Sequence, residues 1–166
     1  MDYTKYSKKF DLPETFSPPE LLRFKDIIAK PLTRADLKDD LAAVNSSIET
    51  IQKTRGGSWP EEELNEEFDF LDLAWHEREF SDRTSLAYVI YDNNDRYIGC
   101  FYLYPMGYRT ALNENLLDYD VDASWWVTTT AYEEGYYEKL HEGLQQWLGN
   151  DFPFSKVYYS NEEIPS

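Results

Sequence analysis

The 166-residue sequence predicts a single α/β (α+β) domain on one central mixed, mainly antiparallel sheet, flanked by three main helices. Three observations carry that prediction. Two β-rich runs, 86–91 and 97–104, flank a polar turn. A further run, 118–127, alternates strictly, and three helical stripes surround these strands in chain order. Hydrophobic residues make up 42% and aromatics 17% of the chain, enough to build a core despite the charge it carries.

Met1 to Glu20 mixes charges with Pro13, Pro18 and Pro19 and reads as a loosely held N-terminal arm, leaving 21–166 as the domain. Leu21, Phe24, Ile27 and Ile28 form a short strand that stops near Lys30, because Pro31 lacks a main-chain donor. Thr33 is an N-cap with Asp36 three residues on, and Leu37, Leu41, Val44, Ile48 and Ile51 then share one face of a helix. Gly56 and Gly57, with Trp59-Pro60, read as a flexible connector. Glu61, Glu62 and Glu63 favour a helix N-terminus, starting a second helix that runs to about Asp82. Its buried stripe is Leu64, Phe68, Leu71 and Trp75, widened by Phe70, Leu73 and Phe80. Its solvated face carries Glu66, Glu67, Asp69 and Glu77.

The runs Leu86–Tyr91 and Tyr97–Tyr104, separated by Asp92-Asn93-Asn94-Asp95, predict an antiparallel hairpin. In 118–127, Tyr119, Val121, Ala123, Trp125 and Val127 share one face, and Asp118, Asp120, Asp122, Ser124 and Trp126 share the other. That second face is either a wet sheet surface or a cluster of carboxylates beside an aromatic ring, which attracts a cationic amine. A third helix comes after Thr128-Thr129-Thr130, with Tyr137, Leu140, Leu144 and Trp147 as its stripe and an end near Gly149-Asn150. Lys156 to Tyr159 forms the last strand.

Charge and cysteine usage exclude several function classes. Sixteen basic residues against 32 acidic ones give a net charge of −16, which opposes attraction to nucleic-acid phosphates and anionic lipids. Neither nucleic acid nor membrane is expected as a partner. The single cysteine, Cys100, permits no internal disulfide and no four-thiolate metal site, and it fits a reducing compartment, so a cytoplasmic protein is expected. No apolar run approaches the roughly 18 residues of a spanning helix. His76 lacks a second histidine four residues on and His141 stands alone, so both read as structural. Cys100 reads as a buried, inert thiol.

The phrases Asp40-Leu41-Ala42-Ala43-Val44, Asp72-Leu73-Ala74-Trp75-His76-Glu77, Gly99-Cys100-Phe101-Tyr102-Leu103-Tyr104-Pro105 and Trp126-Val127 resemble a group of small bacterial proteins of the GNAT (acyl-CoA N-acyltransferase) superfamily. The resemblance spans roughly 24–164. It implies a GNAT-like fold with a V-shaped opening between its fourth and fifth strands, and acetyl-CoA as cofactor. It also implies N-acetyl transfer to a small-molecule or peptide amine, which the acidic chain favours as a cation. The cofactor-binding segment would be Trp126, Val127, Thr128, Thr129, Thr130 and Gly135, of which only Gly135 answers the family's Arg/Gln-x-x-Gly-x-Gly/Ala pattern. Backbone amides at a helix start suit a diphosphate, whereas Glu133 and Glu134 bring negative charge there. Asp120 and Asp122 would take the amine's proton, and Tyr158 or Tyr159 would protonate the thiolate. The family's usual helix and two strands after the last strand find no counterpart in the seven residues after Tyr159. The alternative is a noncatalytic GNAT-like domain that binds a cationic ligand or a protein. The edge of the last strand can pair with a second copy, which makes a homodimer a further expectation.

Overall fold

The structure, a computed structural model, describes residues 8–166. Six strands lie in chain order across one sheet: β1 (Leu22–Phe24), β2 (Ile27–Pro31), β3 (Leu86–Asp92), β4 (Tyr97–Tyr104), β5 (Val121–Val127) and β6 (Val157–Tyr159). Every neighbouring pair is antiparallel except β5 and β6, which run parallel. On one face lie α1 (Leu37–Asn45), α2 (Ile48–Arg55) and α3 (Glu66–Asp82). Between β5 and β6 the chain forms the short α4 (Thr129–Glu133) and then α5 (Tyr136–Asn150), which covers the other face. The mixed, mainly antiparallel sheet is the expected one.

The sheet's two faces hold two cores. Phe101, Trp125, Trp147, Leu140 and Leu144 centre the core beneath α5. Val44, Ile51, Leu73, Tyr97, Cys100 and Trp126 centre the one beneath α1–α3. The arm joins the first of these: Phe16 packs on Phe152 at 5.8 Å and Phe10 on Phe154 at 6.0 Å between ring centroids. Residues 1–7 of the arm lie outside the described residues. The β4–β5 pairing depends on Gly99, because a Cβ there would collide with the main chain of Trp126 and Val127.

Several elements depart from the periodicity. The single strand expected before Pro31 is a hairpin, turned at Lys25, whose φ is 49°. The long first helix divides after Asn45: the Ser46 hydroxyl donates to the Ala43 carbonyl, and Ser47 leaves helical geometry. Glu61–Glu63 stay outside α3, which starts where the Asn65 side chain accepts the Phe68 N–H.

The largest departure is the rotation of α3. Phe68, Leu71 and Trp75, expected in the core, are 53%, 59% and 57% exposed, whereas Asp69 is fully buried with Leu73. The helix therefore turns carboxylates inward. The reason lies in what it packs against: α1 and β4 present Asp40, Tyr97, Tyr102 and Tyr104, polar groups that carboxyl and imidazole side chains can meet and hydrocarbon cannot.

The close approach at Gly99 gives the first prediction. Gly99→Ala forces β4 and β5 apart and lowers unfolding free energy by about 2 kcal/mol or more. Urea denaturation monitored by tryptophan fluorescence reads the change directly.

Candidate functional site

Two features meet at Arg55, the last residue of α2: a wedge between β5 and β6, and an aromatic pocket between α3 and β4.

The wedge begins where parallel pairing stops. Ala123 is opposite Tyr159, and its carbonyl accepts the Ser160 N–H at 2.9 Å. Strand pairing ends there, and among the described residues no strand satisfies the outer edge of Trp125. A side chain does so instead: the Trp125 N–H donates to Asn161 Oδ1 at 3.0 Å, and Asn161 Nδ2 donates to the Trp125 carbonyl at 2.9 Å. Asn161 Nδ2 also reaches the Tyr137 hydroxyl at 2.7 Å, which donates in turn to the Glu163 carbonyl. The segment 160–163 is held from the α2 side as well. The Glu162 and Glu163 N–H groups donate to the Arg55 and Thr54 carbonyls, while Arg109 donates to the Ser160 and Arg55 carbonyls. Gly56 allows this approach, since a Cβ there would strike the Glu162 side chain.

The expected cofactor-binding residues follow Trp125 along β5, through α4 and to the start of α5. Trp126 and Val127 are fully buried on β5, and the Trp126 indole donates to the Tyr102 hydroxyl at 2.9 Å. Thr128 caps α4 by accepting the Ala131 N–H. The Thr129 N–H donates to the Ser47 hydroxyl at 3.0 Å, and its own hydroxyl pairs with Thr50. Thr130 is exposed. Gly135, at φ 89°, separates α4 from α5, whose first turn carries no side-chain cap. A cavity of about 380 Å³ opens there, bounded by Tyr132, Gly135, Tyr137 and the C-terminal residues. The negative charge of Glu134 is offset by Arg96, which donates to it twice, at 3.1 and 2.5 Å, and draws its pKa down. Lys53 lies over the Tyr132 ring on the same side.

The carboxylates read on the β5 face part company. Asp120 precedes the strand and is exposed, and its carboxylate accepts the Ser155 and Lys156 N–H groups, which ties down the approach to β6. Asp118 lies in the preceding turn. Asp122 alone is on the strand, fully buried: Oδ1 accepts the Ser160 hydroxyl and Oδ2 has no partner among the described residues. The wet-surface reading of this face is therefore corrected, because α1–α3 cover it and Asp122, Ser124 and Trp126 are all inaccessible. Tyr158 is half-buried opposite Asp122, its ring edge-on to Tyr119. Tyr159 packs on Trp125 and His141 beneath α5, where burial raises its hydroxyl pKa to about 12.

The aromatic pocket was not legible in the sequence. About 210 Å³ in volume, it has Arg55, Asp72, His76, Glu79 and Tyr102 around it, with Trp59, Trp75, Tyr104 and Tyr108 completing its aromatic wall. A larger hollow of about 310 Å³ beside Ser58 and Phe68 contains no buried ionisable group. Arg55 is 7% exposed, stacks 4.4 Å from the Tyr102 ring centre, and donates from Nε to the Ser124 hydroxyl at 3.1 Å. Burial holds the His76 pKa below its ordinary 6.5 against the opposing pull of Asp72 and Glu79, and its Nδ1 has no partner among the described residues. Asp72, 3.7 Å from His76 Nε2, has its pKa raised by burial, with His76 and Arg55 opposing. The spacing of Asp72 and His76, four residues apart on one helix, was the available signal. Arg55 and Asn161 offered none.

Behind the pocket, Asp40 and Asp69 form a buried carboxyl pair next to Tyr97, which donates to Asp40. Burial first, then repulsion from Asp69, lifts the Asp40 pKa well above the usual carboxylate range, so one proton is retained between them. The unfolded chain releases that proton above about pH 4. The pair's contribution to stability is thus complete below that pH and is lost as pH rises through the raised Asp40 pKa. Asp40→Asn needs no proton, so its stability falls less between pH 5 and 8 than the parent's, by about 1 kcal/mol or more. Denaturation midpoints across that range test this.

Several solved structures share this fold. RimL, described as a ribosomal L7/L12 alpha-N-protein acetyltransferase in complex with coenzyme A, superposes with a TM-score of 0.60 at 10% identity, over 80% of this chain and 69% of that one. A GnaT-family acetyltransferase from Bordetella pertussis gives 0.59 at 14% identity, over 84% and 76%. MccE, a microcin C7 self-immunity acetyltransferase in complex with acetyl-CoA and AMP, gives 0.54 at 12%, over 77% and 65%. No family model matches the sequence, and no curated protein matches it. The sheet order, the parallel β5–β6 pair with its wedge and these superpositions together establish that the chain has the fold of the GNAT superfamily.

Proposed function

We propose that the protein is an acetyl-CoA-dependent N-acetyltransferase whose donor enters the β5–β6 wedge and whose acceptor amine enters the Arg55 pocket. The observation that carries this reading is the Asn161 carboxamide on Trp125. A side-chain amide stands where a strand is missing, and an amide-bearing arm such as that of acetyl-CoA can make the same two hydrogen bonds. The residues present fit that arm once 160–163 moves aside. The α5 amides beside Gly135, with Lys53 and Arg96 nearby, suit its phosphates.

When bound, acetyl-CoA supplies an acetyl group on a thioester, and transfer exchanges its carbon–sulfur bond for a carbon–nitrogen bond. The chain's own contribution is to hold the amine and take its proton. His76 is suited to that role: it lines the pocket, its lowered pKa leaves it neutral at pH 7, and its Nδ1 is a buried acceptor with no partner among the described residues. Asp72, 3.7 Å from Nε2, stabilises positive charge that develops on the ring. Asp122 lies at the wedge, and its engagement with Ser160 makes it a positioning residue for the segment 160–163.

A noncatalytic GNAT-like domain that binds a cationic ligand or a protein is the second reading. It is favoured by the hydrogen bonds that hold 160–163 in the wedge.

Calorimetric titration and thermal shift with acetyl-CoA separate the two. Binding is expected, with a larger thermal shift for Asn161→Ala than for the parent, because the ligand then satisfies groups left unpaired. No binding to either protein at millimolar acetyl-CoA overturns the transferase reading and supports the second. If turnover is observed, it should decline as pH falls through the His76 pKa, below 6.5. His76→Gln should lower kcat by about 10²–10⁴ and abolish that decline. An unchanged pH profile would remove His76 from the role.

A further inference from the structure

We propose that the ligand of the Arg55 pocket is a zwitterionic α-amino acid with a free carboxylate, held by Arg55 at one end and by Asp72 and Glu79 at the other. As the acceptor, the ligand rests on the preceding reading; its binding to the pocket can be measured without acetyl-CoA.

The starting point is a largely buried cation that forms no direct ion pair, although its charge acts on Asp72. Arg55 is 7% exposed, yet among the described residues it forms no ion pair, and its only side-chain hydrogen bond is from Nε to Ser124. Its terminal N–H groups are not among the buried atoms left without a partner, and a ligand that covers them must supply hydrogen bonds in exchange for water. Here they border the pocket, backed by the Tyr102 ring, which fixes the plane of the fork. A planar carboxylate suits that fork through two parallel hydrogen bonds.

The wall supplied by α3 has the opposite sign. Asp72 and Glu79 come from α3, one turn to either side of His76. A simple anion in this pocket would meet two carboxylates, and a simple amine would meet Arg55. A molecule carrying both charges meets neither penalty. The volume, about 210 Å³, lies below the roughly 300 Å³ at which pockets for drug-sized ligands begin, which points to a small ligand. In that orientation the α-amine lies on the side of His76, the neutral base, so the recognition that binds the ligand also presents its nitrogen for deprotonation.

The test is calorimetric titration of the full chain, without acetyl-CoA, with phenylalanine, leucine, lysine and glutamate. The best binder is then compared with its decarboxylated amine and with its N-acetyl derivative. At least one amino acid should bind with a Kd below about 1 mM, and loss of either charge should weaken binding about tenfold or more. Arg55→Met should erase the preference for the amino acid over its amine. Where that variant does not fold, the ligand series on the parent protein still decides. The proposal is overturned if no amino acid in the series binds folded protein at about 10 mM, or if the amine binds as tightly as the amino acid. Amino-acid binding without acetyl-CoA binding would sustain the pocket's ligand class and overturn only the transferase reading.

Discussion

A strand sealed on both faces must satisfy its main chain along both edges, and β5 is such a strand: all seven of its residues are inaccessible to water. One edge is complete, because β4 pairs with it from Gly99 to Tyr104. The other is supplied by β6 for only three residues. Hydrogen bonding therefore decides the course of the chain along the rest of that edge. Ser160 extends the ladder through its main chain, Asn161 does so through its side chain, and the loop into α4 is tied to Ser47 and Thr50 of the opposing helices. The wedge, the closing segment and the placement of Arg55 all result from the need to complete this one edge.

How much of this could be read beforehand depended on whether a residue's partner was close in sequence. The hairpin of β3 and β4 was legible because β-rich runs flank a turn in which the Asp92 carboxylate accepts the Asn94 and Arg96 N–H groups. The stripe of α5 was legible because Tyr137, Leu140, Leu144 and Trp147 meet a uniformly apolar sheet face. The rotation of α3 was not, since hydrophobic periodicity assumes an apolar partner and this helix packs against Asp40 and three tyrosines. The same assumption hid the candidate site. Arg55 looked like the last residue before a glycine break, and only the tertiary fold brings it against Ser124 and Tyr102.

The polar layer under α3 also explains how so acidic a chain retains buried carboxyls. Burial raises the Asp40 and Asp69 pKa values, and Asp72 is moderated by His76 and Arg55. Asp36 and Asp39 accept the Tyr91 hydroxyl. Phenols are the recurring donors, which gives the tyrosine-rich β3 and β4 a second role beyond packing: they solvate carboxyls that water does not reach. Such a layer is rigid where every group is matched. Its unmatched groups among the described residues are the Asp69 carboxyl oxygens, behind the pocket, and His76 Nδ1, beside it.

The closing segment changes what the end of this chain is for. Terminal residues of a domain are ordinarily its most expendable part, and trimming them is a routine step in preparing a protein. Removing 161–166 here would strip the Trp125 N–H and carbonyl of their partners deep in the molecule, at about 1–3 kcal/mol for each group left unpaired. It would also free the Thr54 and Arg55 carbonyls. Ile164, Pro165 and Ser166 border the cavity at Gly135. A version of this protein that lacks 161–166 therefore differs from the parent at the wedge itself.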